Sequence, residues 1–259
     1  VRAIGEVRRM SDGAVIADDY AKLLAADTDP MGVALNHGRM PDAGQTAAQD
    51  VGMISNWQAK YLLSQDARAE AIMLANAEAA GGVPWHFRDE DTGYAVTLTD
   101  HPGIWIKGGR NGSGADALPE AYNSKYAETG WLPDSAHTPS MTYLPYLLTG
   151  DRYYLDELQA ETSYQLATRN PQYRGYDKSL FAVNGADEIR SIAWTMRSLS
   201  DAAWITPDDH ALKGYFEKVI DDNLNALIKR YMVDQSIGRS KGVWDGSLDL
   251  GELTGYHYV

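Results

Sequence analysis

The sequence contains no cysteine. Disulfide frameworks, cysteine-zinc sites and thiol nucleophiles are therefore excluded for this chain, and the redox compartment stays open. It also lacks any apolar run near the roughly 20 residues that a helix needs to cross a bilayer. We therefore expect a soluble protein without a membrane partner.

Positive charge and phenylalanine are both scarce. The chain has 23 Lys and Arg against 36 Asp and Glu, a formal net charge of -13, and the basic residues are scattered. Because nucleic-acid binding depends on clustered Lys and Arg, we expect no nucleic-acid partner. Only 3 Phe stand against 16 Tyr and 7 Trp. Rings with a polar group suit sugar stacking, although large helical cores also contain them.

The length and the ends of the chain bear on its organisation. A chain of 259 residues can form one large core or two small ones. It begins at Val1 without a basic and apolar leader, and it stops at Val259 without a terminating signal. We interpret residues 1–259 as a single domain that is a processed protein or a piece of a longer one.

A repeated hexapeptide is the clearest internal pattern. Tyr61-Leu62-Leu63-Ser64-Gln65-Asp66 is matched by Tyr146-Leu147-Leu148-Thr149-Gly150-Asp151, and each copy ends one amphipathic segment and begins another. This predicts two helical hairpins. The second helix of the first hairpin is expected over 67–80, with Asp66 and Asp151 as helix caps.

Further segments extend the helical prediction. Residues 186–204 and a helix that begins at Pro207 and runs towards Met232 form a third pair, and residues 14–26 form one more helix. We expect the inner helices of the three pairs to start near Asp50, His137 and Asp187, and the pairs to stack side by side. Long connections cover 83–131 and 171–185, and residues 94–99 alternate like one strand of a small β-hairpin. The predicted class is all-α.

The hairpins resemble a known architecture. Trp57 with Tyr61-Leu62-Leu63, the segment from Trp131 to His137, and Arg190 with Trp194 and Arg197 are similar to successive hairpins of α/α-toroid glycoside hydrolases and polysaccharide lyases. The resemblance covers roughly residues 45–232, which would make an incomplete toroid. It implies a carbohydrate cleft formed by loops and by the starts of the inner helices.

Three segments carry the candidate site residues. In the first, Trp131 offers a stacking ring and His137 a group for proton transfer, while Asp134 is equally well placed to cap a helix. In the second, Trp85, His86 and Arg88 suit recognition of hydroxyl or carboxylate groups, or form a salt-bridged loop. Asp100-His101-Pro102 follows with the same two readings.

The third segment combines Asn184 with a helix face that carries Arg190, Trp194 and Arg197. This face either lines a polar cleft or is neutralised by Asp201. Asp187 and Glu188, in the first turn, are also explained by the helix dipole.

These segments lead to a functional hypothesis. We predict an extracytoplasmic enzyme that hydrolyses or eliminates a polysaccharide, with His137, Asp134, Arg190 and Tyr143 as catalytic residues. Predicted substrate-binding residues are Trp85, His86, Arg88, Trp131, Asn184, Trp194 and Arg197. No metal or cofactor is expected, because no His-Glu-x-x-His or EF-hand pattern occurs. The alternative is a non-catalytic helical module that binds glycan or protein.

Overall fold

The computed structural model describes residues 7–25, 52–106, 138–172, 174–178 and 189–229, with side chains from residue 191 in the last range. Within these ranges the regular structure is helical, and no β-strand occurs in them. An isolated antiparallel bridge joins Arg88 and Ala95, and Trp105 is a further bridge residue. The all-α prediction is confirmed for this part of the chain.

The helices that position the sites are, in chain order, α1 (Gly13–Ala25), α2 (Asn56–Ser64), α3 (Ala67–Glu78) with a 3-10 turn (Ala79–Gly82), α4 (Tyr143–Thr149), α5 (Arg152–Ala167), α6 (Ile189–Ile205) and α7 (Lys213–Ile228). In the described ranges, no helix has the length and apolar character needed to span a bilayer.

Contacts divide the chain into two compact units. The first unit comprises residues 1–86 and 122–161, and the second unit comprises 87–121 and 162–259. Within the first unit, α3 packs against α1, α2 and α4. Within the second unit, α6 packs against α7. The side-by-side stacking of three helical pairs, the toroid and the single domain stay predictions.

The two copies of the repeated hexapeptide form turns with the same hydrogen bonds. Gln65 and Gly150 both adopt the left-handed conformation, and the N–H of each donates at 2.8 Å to the carbonyl of Tyr61 or Tyr146. Asp66 then accepts from the N–H two residues later at 2.8 Å, as Asp151 does at 2.9 Å. The predicted equivalence of the two turns and of their Asp caps is confirmed.

We expect Asp151→Ala to lower the free energy of unfolding by about 1 kcal/mol, because the N–H of Tyr153 loses its acceptor at the start of α5. Urea unfolding followed by circular dichroism measures the change. Asp156→Ala is the matched control, since it removes a half-buried carboxylate 3.7 Å from Arg152 on the same helix and should cost less. Equal losses in the two variants would contradict a capping role.

The prediction that the inner helix of the second pair starts near His137 is wrong, because residues 138–142 are not helical and α4 starts at Tyr143. Pro145 explains the difference. It is tolerated in the first turn, but in a helix starting near residue 137 its ring would clash with the carbonyl of Met141. That carbonyl instead accepts from Nε2 of Gln58 at 3.2 Å.

The other predicted boundaries also shift. Helix α2 starts at Asn56, not near Asp50, because Oε1 of Gln58 accepts from the N–H of Ser55 at 3.1 Å and holds Ser55 as the residue before the helix. Helix α7 starts at Lys213, not at Pro207, because Nδ1 of His210 accepts from the N–H of Leu212 and holds the preceding segment as a turn.

The strand predicted over 94–99 does not form. After the bridge at Ala95, the chain turns between Thr97 and Asp100. The Thr97 hydroxyl donates to the Asp100 carboxylate at 2.7 Å, and it accepts from the N–H of Asp100 at 3.0 Å. These local bonds compete with an extended backbone.

The core of the first unit joins its helices. Trp57, Ile72, Met73 and Leu144 are buried together. In the same unit, the Tyr153 hydroxyl donates to the carbonyl of Glu78 at 2.6 Å and accepts from the N–H of Gly81 at 2.9 Å. The start of α5 is thereby attached to the end of α3.

Candidate functional sites

A buried carboxylate in the first unit holds an imidazole. Glu157 lies on α5, and its side chain is 7% exposed. Nε2 of His86 lies 2.7 Å from Oε2 and 2.9 Å from Oε1 of this carboxylate. The indole N–H of Trp85 donates to Oε2 at 3.2 Å. The local chain after the 3-10 turn thus brings both side chains to one carboxylate.

This arrangement fixes how His86 can act. An ionised carboxylate only accepts hydrogen bonds, so a neutral His86 carries its proton on Nε2 and leaves Nδ1 as an acceptor. The His86 side chain is 29% exposed, whereas Trp85 is 1% exposed. Trp85 therefore packs in the core and offers no ring face for a sugar to stack on, contrary to the prediction.

A second pair of imidazole and carboxylate lies in the second unit. Asp89 follows the bridged residue Arg88, and its Oδ2 lies 2.7 Å from Nε2 of His101. Its Oδ1 accepts from the N–H groups of Asp91 at 3.0 Å and Thr92 at 2.8 Å. The hydrogen bond from His101, followed by those from Thr92, lowers the pKa of Asp89 to about 2. Asp89 is thus ionised at neutral pH and fully supplied with donors.

Asp89 also lines a cleft of about 380 Å³ in the second unit. Two segments form its walls, the turn region 89–100 and the start of α7. The lining residues are Asp89, Thr92, Tyr94, Ala95, Thr97, Thr99, Asp100, Ala211, Leu212, Gly214, Tyr215 and Lys218. The volume falls within the range of about 300–1,000 Å³ that is usual for small-molecule sites.

Two tyrosines stabilise the walls of the cleft. The Tyr94 ring packs edge-to-face on His210, with ring centroids 5.1 Å apart. Oη of Tyr215 accepts from the N–H of Leu98 at 3.0 Å, which joins α7 to the turn region. Burial raises the pKa of Tyr215 far above its ordinary value. Its hydroxyl therefore stays protonated.

The charged residues of the cleft differ in how they are paired. Nζ of Lys218 lies 2.7 Å from the carboxylate of Asp222 and 3.9 Å from that of Asp177. Oδ2 of Asp100 accepts from the hydroxyl of Thr97. Among the residues that the structure describes, no cation lies within salt-bridge distance of Asp100. Within the described residues, its negative charge therefore has no ion-pair partner in the cleft.

The buried side chain of Arg174 hydrogen-bonds to the segment that follows the turn region. Its guanidinium donates to the carbonyls of Ile104 at 2.7 Å and Pro102 at 3.0 Å, and also to those of Tyr176 at 2.7 Å and Arg169. Burial lowers its pKa to about 10, so it is still charged at neutral pH. The Arg174 side chain thus hydrogen-bonds to two carbonyls of segment 102–104, which follows Asp100.

The predicted polar face of α6 is partly described. The guanidinium of Arg197 lies 5.6 Å from the ring centroid of Trp194, and the Arg197 residue is buried. Burial raises the pKa of Asp201 to about 7, and Arg197 opposes this rise. Oδ2 of Asp201 is shielded from water and accepts no hydrogen bond from a described residue. Trp194 and Arg197 thus form a cation-π pair, and the nearby Asp201 is only about half ionised at neutral pH.

Several predicted site residues lie elsewhere or outside the described residues. His137, Asp134, Trp131 and Asn184 lie outside them, and Arg190 is described only as part of the α6 backbone. Tyr143 is the half-buried first residue of α4. Arg88 is exposed and donates to the carbonyl of Gly93 at 3.1 Å, which closes the turn after Asp89. The predicted convergence of these residues stays a prediction.

The sequence did not reveal the partners that make the two sites. Glu157 lies within a regular helix, and Tyr215 and Lys218 lie on α7, more than 110 residues after Asp100. Their spacing carries no local signal. Within the described ranges, no cluster of three His, Asp or Glu side chains suits a metal ion.

Comparisons of the chain with protein-family models, curated proteins and solved structures found no match.

Proposed function

We propose that this chain is a carbohydrate-active protein and that a sugar binds in the cleft of the second unit. One observation carries the proposal: two carboxylates, two tyrosines and three threonines line a single cleft. Carboxylates and hydroxyls bind sugar hydroxyl groups, and aromatic rings pack against the apolar faces of sugar rings. The incomplete α/α toroid and an extracytoplasmic location are parts of the same proposal. The matched turns at Gln65 and Gly150 support the repeated hairpin that a toroid requires.

Hydrolysis suits this cleft better than elimination from a uronate. Hydrolysis of a glycosidic bond uses two carboxylates, and the cleft offers Asp89 and Asp100. Asp100 has one oxygen, Oδ1, that accepts no hydrogen bond from a described residue, so it is the group that transfers a proton to or from the substrate. Elimination needs a cation for the substrate carboxylate. Lys218, the lining cation, is already paired with Asp222.

A non-catalytic binding module is the second candidate, and one observation favours it. Both oxygens of Asp89 are occupied, by two backbone N–H groups and by His101. A carboxylate held in this way orients its neighbours well but is poorly placed to attack a substrate. In this case the cleft would bind a glycan through Asp100 and Tyr94 without cleaving it.

We expect Asp100→Asn to lower the turnover of a cleaved oligosaccharide by at least about 100-fold, the contribution of one general acid or base. Binding should change only a few-fold, because Asn keeps the shape of the side chain and an acceptor for Thr97. Turnover is measured by release of reducing ends across neutral and uronate polymers, and binding by calorimetry. Asp91→Asn is the matched control, since this exposed acid lies on the same loop but does not line the cleft.

The outcomes separate the candidates. If wild type binds and cleaves and Asp100→Asn retains full turnover, Asp100 is not catalytic. If wild type binds sugars without cleaving them, the chain is a binding module. If it binds none of the polymers, the carbohydrate proposal fails.

A further inference from the structure

The charged side chains on the walls of the cleft bear on which class of sugar it can bind. Three charged side chains line it: Asp89, Asp100 and Lys218. The negative charge of Asp89 is stabilised by two backbone N–H groups and the imidazole of His101. Lys218 forms an ion pair with Asp222, and the carboxylate of Asp177 lies 3.9 Å from its Nζ. Asp100 alone among them has no charged partner in the described residues.

The open oxygen of Asp100 shares the cleft with an aromatic ring. Tyr94 lines the same cleft, and the contact with His210 fixes its ring. A carboxylate binds an ammonium ion by a charge-assisted hydrogen bond, and an aromatic face binds it by a cation-π contact. Hydroxyl-rich walls, from Thr92, Thr97 and Thr99, surround them.

The described positive charges near the cleft have hydrogen-bond partners other than Asp100. The guanidinium of Arg174 donates to four backbone carbonyls, and Tyr215 lies at the cleft wall nearby with a neutral hydroxyl. An anionic sugar would therefore meet Asp100, which has no charged partner in the described residues, and a lysine that is already paired with Asp222. Its carboxylate would be repelled, and leaving water would be costly without a compensating partner.

We infer that the cleft prefers a sugar that carries a free amino group, such as a glucosamine oligomer, over its N-acetylated form and over a uronate oligomer. This inference rests on the proposed function, because it assumes that a sugar binds in the cleft. The ammonium group contacts Asp100 and Tyr94, and the ring hydroxyls contact the threonines. The -13 net charge of the chain adds long-range attraction for such a cationic ligand.

The test measures binding alone, by calorimetry at about pH 6, where an amine is protonated. The probes are trimers of glucosamine, of N-acetylglucosamine and of galacturonate. Wild type is expected to bind the glucosamine trimer about tenfold more tightly than the N-acetylated one, as one charge-assisted contact would give. The galacturonate trimer should bind more weakly than either.

Two variants identify the selecting group. Asp100→Asn should make the affinities for the glucosamine and N-acetylglucosamine trimers equal, while Asp91→Asn should leave the preference unchanged. Lys218→Gln should also leave the ranking unchanged, because Lys218 is paired with Asp222. The inference is overturned if wild type binds the three trimers equally, or if it prefers galacturonate and loses that preference in Lys218→Gln. Both results leave sugar binding intact. If a polymer binds but no trimer does, the inference is also overturned, whereas the proposed function itself fails only if neither the trimers nor the polymers bind.

Discussion

Asp201→Asn is expected to stabilise the protein at about pH 8 and to have little effect at about pH 4. In the folded chain, burial raises the pKa of Asp201 from 3.8 to about 7. The folded state therefore binds a proton that the unfolded state releases as the pH rises above 4. The stability that this proton provides is complete below pH 4 and is lost progressively up to about pH 7. The asparagine amide resembles the protonated acid and does not titrate.

The size of this effect follows from the same difference in pKa. Each pKa unit corresponds to about 1.4 kcal/mol, which sets an upper limit of roughly 4 kcal/mol above neutral pH. We expect about half of this, since the Asn amide also needs partners in a largely buried place. Urea unfolding of both proteins between about pH 4 and pH 8 measures it. If the difference in unfolding free energy between the two proteins does not change from about pH 4 to about pH 8, the pKa of Asp201 is not raised in the folded protein.

Arg174→Met is expected to lower the free energy of unfolding by about 3 kcal/mol or more. The guanidinium donates to four carbonyl groups, and those of Arg169 and Ile104 are buried. Methionine fills the space but donates no hydrogen bond, and a buried acceptor left without a donor costs about 1–3 kcal/mol. Removal of a buried charge offsets part of the loss.

Two control variants separate the hydrogen bonds from the charge. Arg174→Lys keeps the charge but not the planar set of donors, so we expect a loss between those of wild type and Arg174→Met. Arg152→Met removes an exposed arginine and should change stability little. If Arg174→Lys is as stable as wild type, the charge and not the hydrogen-bond geometry supports segment 102–104.

Patterns with local causes were predictable from the sequence. The hexapeptide repeat identified two turns in which the same hydrogen bonds form, because a left-handed residue followed by Asp determines the backbone over a few positions. The starts of α2 and α4 were missed for reasons that were also local. The Gln58 side chain accepts from the N–H of Ser55 before α2, and Pro145 prevents an earlier start of α4. Both signals were present in the sequence, but the prediction of the helix starts relied on the helical spacing of apolar residues instead.

The sites were predictable only in part. His86 and Arg88 were identified from their density of functional groups, but only the fold shows that His86 pairs with Glu157 and that Arg88 closes a turn. Trp85 illustrates the limit most clearly. A tryptophan beside histidine and arginine has the composition of a binding loop, yet burial of its ring is decided by residues more than 70 positions away.

The hydrogen bond between Leu98 and Tyr215 joins residues that are 117 positions apart. One wall of the cleft comes from the turn region 89–100 and the other from the start of α7. No short stretch of the chain therefore contains the whole cleft. Closing so long a loop costs entropy that local turns do not cost, and the contact must therefore follow their formation. The cleft is absent from any partly folded chain in which only the helical hairpins exist. Ligand binding in the cleft would consequently report that the second unit has completed its folding.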